Sequence, residues 1–100
     1  MLDFARIEGF DWDEGNRQKS LDKHAVTQVE AEQVFANAPL LIVEDTKHGQ
    51  SEPRYQALGK TFDQRSLFIA FTLRTGGTKI RVISARDMHR KERAIYAQET

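Results

Sequence analysis

Hydrophobic and polar positions fall into two periods along the chain, and each period predicts a different element. In "VTQVEAEQVFANAP", residues 26–39, Ala31, Val34, Phe35 and Ala38 recur at i, i+3, i+4 and i+7. That is one apolar stripe at helical spacing. Thr27 and Glu30 stand three apart at its start, as a capping box requires, and Pro39 ends the helix. The pattern then changes to strands: Leu40 to Asp45, the alternating Arg54 to Thr61, "SLFIAFTLRT" from Ser66 to Thr75, and Lys79 to Ala85 with Ile80, Val82 and Ile83.

Gly76 and Gly77 predict a two-residue hairpin of the type that needs positive φ. The connections between strands are too short for helical crossovers, so the four should form an antiparallel meander. Upstream, Phe10 to Asp13 reads as a short edge strand, and Asp13 can cap a polar helix running to His24. Asp87 can likewise cap a final helix reaching Gln98. The order β-α-α-β-β-β-β-α describes an α+β domain, an antiparallel sheet with its helices on one face and the other face free. Residues 1–100 form one domain, with residues 1–9 expected as a flexible N-terminal extension.

Composition narrows the class without naming a function. Hydrophobic residues make up 39% and charged residues 30%, the balance of a soluble globular chain. No apolar run reaches the roughly 20 residues of a membrane span, and the first residues lack a leader's apolar stretch, so the cytoplasm is the expected compartment. Zero cysteines exclude disulfides and thiolate metal sites. Three scattered histidines without metal-ligand spacing give no expectation of a metal, and no glycine-rich nucleotide loop or nucleophile elbow is present.

Charge is distributed unevenly although the net charge is zero. Residues 1–73 hold eight Lys/Arg against twelve Asp/Glu, while residues 74–100 hold seven against three. A basic patch on an acidic body follows, although a solvated basic helix would produce the same split. In a straight strand Arg81 shares a face with Ile83, so it stands on the free face if Ile80 and Val82 meet the helices. Arg86 has the opposite parity and needs a bend to join it. On the final helix, His89, Arg93 and Tyr96 recur at i, i+4 and i+7, a stripe separate from the apolar edge of Met88 and Ile95. Lys23 and His24 close the first helix, and His48, Glu52 and Arg54 lie in or beside one mixed-charge loop, an arrangement that also suits a surface ion-pair cluster.

Taken together, "FDWDEGNRQKSLDKHAV", "EAEQVFAN", "EDTKHGQSEPRYQALGK" and "IRVISARDMHRKERAIY" resemble the BrnT family of bacterial toxins in order and spacing, over roughly residues 10–97. The resemblance implies a RelE-like fold and a metal-independent endoribonuclease of a type II toxin-antitoxin system, without cofactor. It also implies a BrnA-type ribbon-helix-helix antitoxin as partner in a hetero-oligomer, with DNA contacted only through that antitoxin. The family's shared polar positions fall on Lys23, His24, His48, Glu52, Arg54, Arg81, Ser84, Arg86, Glu92, Arg93 and Tyr96. Two positions depart from its pattern: Ala25 stands where the family has Gly after "KH", and Ser20 where it has Asn. If residue 25 takes positive φ, alanine there costs on the order of 1 kcal/mol.

Cutting RNA without metal requires a base near the 2′-OH, an acid near the leaving 5′-oxygen, and cations for the growing phosphorane charge. Arginine suits the last task, because it stays protonated and grips two phosphate oxygens. The resemblance, together with the final-helix stripe that contributes His89, therefore makes Arg81, Arg86, His48, Glu52 and Tyr96 the candidate catalytic residues, with Lys23, His24, Arg54, His89 and Arg93 binding RNA. Histidine is favoured for proton transfer because its pKa lies near neutrality. A degenerate, non-catalytic toxin fold that only docks a partner would carry the same basic surface.

Overall fold

A computed structural model describes residues 4–15, 24–47 and 52–100. Strands β1 (Gly9–Phe10), β2 (Leu41–Asp45), β3 (Arg54–Lys60), β4 (Ser66–Arg74) and β5 (Lys79–Asp87) form a five-stranded sheet in the order β1-β5-β4-β3-β2. Helix α1 (Gln28–Ala36) and helix α2 (Arg90–Glu99) pack on it. The last four strands are the expected antiparallel meander, but β1 pairs parallel to β5, so the sheet is mixed. Gly9 and Phe10 oppose Lys79 and Ile80, and the Glu8 amide donates to Thr78 O at 2.7 Å.

Glu8 and Gly9 are therefore tied to the edge of the sheet. Phe4–Arg6 form a 3₁₀ turn and Ile7 packs against the core. Of the first expected helix, Glu14, Gly15 and His24 are helical; Lys23 and Ser20 lie outside the described residues, as does His48.

The capping box forms as expected at α1: Thr27 Oγ1 accepts from the Glu30 amide, and Glu30 Oε1 accepts from the Thr27 amide at 3.0 Å. Ala31 and Val34 are buried while Ala38, beyond the helix end, is exposed. This helix covers one sheet face, made by Tyr55, Ala57 and Gly59 of β3, Leu67, Ile69 and Phe71 of β4, and Ile80, Val82 and Ala85 of β5. Gly59 permits the close approach, because a Cβ there would stand 2.9 Å from Val34 Cγ1. Phe10, Phe35, Phe71 and Tyr55 form a ring-to-ring chain through this core, with centroid separations of 5.1 to 5.6 Å.

Helix α2 lies on the opposite face, which corrects the expectation of helices on one side only. Its Tyr96 packs with Met88, Leu58, Leu41 and Phe68. Leu58 opposes Phe68 across the sheet and has the reverse parity to Ala57 and Ile69. The end of the second face nearest Leu58 is thus covered, while Ala70, Gln56 and Ser84 stay partly exposed. The β4–β5 turn also differs from expectation. It holds four residues between Arg74 and Lys79, and Thr75, Gly76 and Gly77 all take positive φ.

Candidate functional site

The second sheet face acquires its arginines through a β-bulge. Arg81 opposes Thr72, Ser84 opposes Ala70 and Arg86 opposes Phe68, while the register shifts between Ala70 and Phe71. Ile83 is the extra residue of β5. Because Thr72, Ala70 and Phe68 alternate regularly on β4, Arg81, Ser84 and Arg86 all project from the face that α1 does not cover. The bulge supplies the bend that straight-strand parity lacks. Four residues of β4 separate the two positions, about 13 Å along the strand.

The two guanidiniums end in different ion pairs. Arg81 Nη2 donates to Asp13 Oδ2 at 2.6 Å, and its Nη1 lies 3.5 Å from Asp11 Oδ1. The Asp13 hydrogen bond raises the Arg81 pKa, keeping the cation fixed in charge. Both aspartates are well exposed, so solvent screens these pairs. Arg86 is held more firmly. Nη1 and Nη2 each donate to a different oxygen of Glu92 at 2.8 Å, and Cζ sits 4.1 Å over the Phe68 ring.

Around the Arg86 end the structure gathers further cations. His89 is the N-cap of α2, a place expected for Asp87, and its amide donates to Glu92 at 2.8 Å. Burial pushes the Glu92 pKa up, but the Arg86 and His89 hydrogen bonds outweigh it and hold the carboxyl below its ordinary value. Asp87 instead binds Arg65, whose hydrogen bonds lower the Asp87 pKa, with smaller contributions from the charges of Arg93 and His24. The charges of His24 and Arg93 thus act on Asp87, while Arg86 and the His89 amide bind Glu92; Asp87 opposes Leu67 and leaves β5 on the α1 side, whereas Arg86 opposes Phe68 and leaves it on the other.

Other expected site residues lie elsewhere. Glu52 pairs with Arg74 at 3.1 Å, and Arg54 is the register partner of Asp45, both toward the Arg81 end of the face. Tyr96 does not share a solvent stripe with His89 and Arg93. It is 6% exposed, its hydroxyl donates to Pro39 O at 2.6 Å, and burial raises its pKa. Ile95, expected on the apolar edge, is the exposed residue at 40%. Neither expected stripe holds as a unit: Met88, which precedes the helix, is buried while Ile95 is exposed, and Tyr96 is buried while His89 and Arg93 are exposed.

Arg65 is the residue that sequence reasoning missed. It follows the β3–β4 turn and lacks any local pattern to mark it, since its partners are 22 to 41 positions away. Among the described residues no group of three or more His, Asp or Glu side chains could hold a metal ion, and no helix is long and apolar enough to cross a membrane.

No individual curated protein matches the chain closely. A family model does match, over residues 12–92, and its description is a ribonuclease toxin, BrnT, of type II toxin-antitoxin systems. That span includes β2 to β5, the bulge, Arg65 and both carboxylates of the cation cluster, and the chain therefore belongs to the BrnT family of ribonuclease toxins.

Proposed function

We propose that the protein is a metal-independent endoribonuclease that arrests growth until a BrnA-type ribbon-helix-helix antitoxin neutralises it, on a fold of the RelE type. The observation that carries this reading is the bulge at Ile83, which turns Arg81, Ser84 and Arg86 toward one sheet face with the cation cluster of α2 at its end. An RNA strand laid along that face meets Arg54 and Arg81 first, then small or uncharged side chains at Ala70, Ser84 and Gln56, then Arg86 and Arg93, with His24 beyond the end of β5.

In the reaction, the 2′-oxygen bonds to the adjacent phosphorus as a base takes its proton, and the phosphorus–O5′ bond breaks as an acid protonates the leaving oxygen. A cyclic phosphate and a free 5′-hydroxyl result. Arg93 and the outer edge of Arg86 stabilise the added charge, and His24, whose charge reaches Asp87 at the end of β5, is the proton-transfer group. His48 and Glu52 are the other proton-transfer candidates; Lys23, Arg54 and His89 bind backbone phosphates. Arg81 exchanges its exposed aspartates for a phosphate at small cost, because solvent-exposed ion pairs contribute roughly 0–1 kcal/mol. Tyr96 supports α2 and does not react.

The test is antitoxin-free protein incubated with a long RNA in EDTA. Cleavage by the wild type that is lost in Arg81→Ala/Arg93→Ala and in His24→Ala supports the enzyme. One observation favours a second reading, a binding module that no longer cuts: Arg81 and Arg86 are already engaged by carboxylates. Intact RNA together with tight antitoxin binding would establish that reading.

A further inference from the structure

Arg65 presents five N–H donors, and the structure gives each an acceptor. Nε donates to Asp87 Oδ1 at 2.7 Å and Nη2 to Asp87 Oδ2 at 3.1 Å. Nη1 donates to Glu30 Oε2 at 3.0 Å and to Ala25 O at 2.9 Å, and Nη2 also donates to His24 O at 3.2 Å. One planar cation therefore joins the end of β5, the first turn of α1, and the backbone that leaves His24. Its side chain is 26% exposed, so the fork faces protein more than water.

The backbone it grips is a strained one. Ala25 has φ 53°, the left-handed region that costs a residue bearing a Cβ roughly 1–2 kcal/mol. His24 and Ala25 carry the two carbonyls bound by Arg65, so the guanidinium opposes relaxation of this turn and sets where the His24 side chain emerges. The same guanidinium fixes Asp87, whose carboxylate lies within the fields of His24 and Arg93 and whose carbonyl accepts from Arg86 Nη1 at 3.1 Å. A lysine could satisfy one or two of these acceptors, since an ammonium is a point charge without a planar fork.

We infer that Arg65 is a positioning residue for RNA cleavage, holding the His24–Ala25 turn against Asp87 at the end of β5 that also carries Arg86. It touches no substrate itself. The inference deepens the proposed ribonuclease reading and rests on it.

A double-mutant cycle in the purified full chain separates positioning from simple loss of fold. Cleavage of a long RNA in EDTA is measured for wild type, Arg65→Lys, His24→Ala and the double variant, each at a temperature where circular dichroism shows it folded. If Arg65 acts through His24, Arg65→Lys lowers the cleavage rate about 10–100-fold in the wild-type background and less than about twofold when His24 is already alanine. A residue that merely supports the fold would give the same factor in both backgrounds. Where a variant cuts too slowly to measure, the same cycle is read in its affinity for a 2′-O-methyl RNA, which binds and cannot be cut. Equal factors in the two backgrounds, or an Arg65→Lys variant as active as a cleaving wild type, overturn this inference alone. A wild type that leaves RNA intact overturns the ribonuclease reading with it.

Discussion

Arg81 and Arg86 project from the same sheet face although five positions separate them, because Ile83 bulges out of β5 between them. Only Arg86 is built into the packing, through Glu92 and Phe68. Arg81→Ala should therefore leave stability within about 1 kcal/mol of wild type. It should weaken binding of a single-stranded 2′-O-methyl RNA and reduce the slope of log affinity against log salt by about 0.7. Fluorescence anisotropy across a potassium chloride series checks both, and an unchanged slope would remove Arg81 from the RNA path.

Three carboxylates set the response to acid. Hydrogen bonds from Arg65 hold Asp87 below its ordinary pKa, the Thr27 amide and then Arg65 do the same for Glu30, and Arg86 with the His89 amide does so for Glu92 against its burial. The unfolded chain titrates near the reference values, about 3.9 for Asp and 4.3 for Glu. A depressed folded pKa contributes stability that is complete above those values and is lost as pH falls through the folded ones. Urea midpoints should be level from pH 7 to about 5.5 and decline below about pH 4.5. Asp87→Asn should lower the neutral-pH midpoint and flatten the decline.

Ala25 departs from the glycine expected by family resemblance and sits at φ 53°. Ala25→Gly relieves the Cβ strain while adding freedom to the unfolded chain, for a net gain of about 0.5–1 kcal/mol. A thermal melt raised by a few degrees would show it. An unchanged or lowered midpoint would mean that the Arg65 clamp already absorbs the strain.

The contact between Gly59 and Val34 works in the other direction. A Cβ at residue 59 would lie 2.9 Å from Val34 Cγ1, so Gly59→Ala must displace α1 or a core rotamer. Overpacking of this kind costs roughly 1–3 kcal/mol. Adding Val34→Ala should return part of that loss, a non-additivity that urea denaturation of the two single variants and the double variant would reveal.

Tyr96 separates a structural hydroxyl from a reacting one. Tyr96→Phe removes the bond to Pro39 O and should cost about 1 kcal/mol. RNA cleavage should stay within about twofold of wild type at temperatures where both are folded, whereas a loss of 10²-fold or more would return the phenol to the chemistry.

What the amino-acid order determined by itself is everything governed by neighbours within a turn or a pleat. The Thr27–Glu30 capping box, the β3 and β4 limits to within a residue, and the positive φ of Gly76 and Gly77 all follow from interactions within a few positions. Tertiary structure decided the rest, because those features depend on which distant segment arrives. The parallel pairing of β1 with β5 joins residues 70 positions apart. The face chosen by α2 buried Tyr96 and exposed Ile95, a choice helical spacing leaves open. The bulge at Ile83 exists only against β4, and Arg65 acquires its five acceptors only when three remote segments converge on it. Local periodicity records which side chains can share a face; only the assembled sheet and helices set which face meets the core and which is left open.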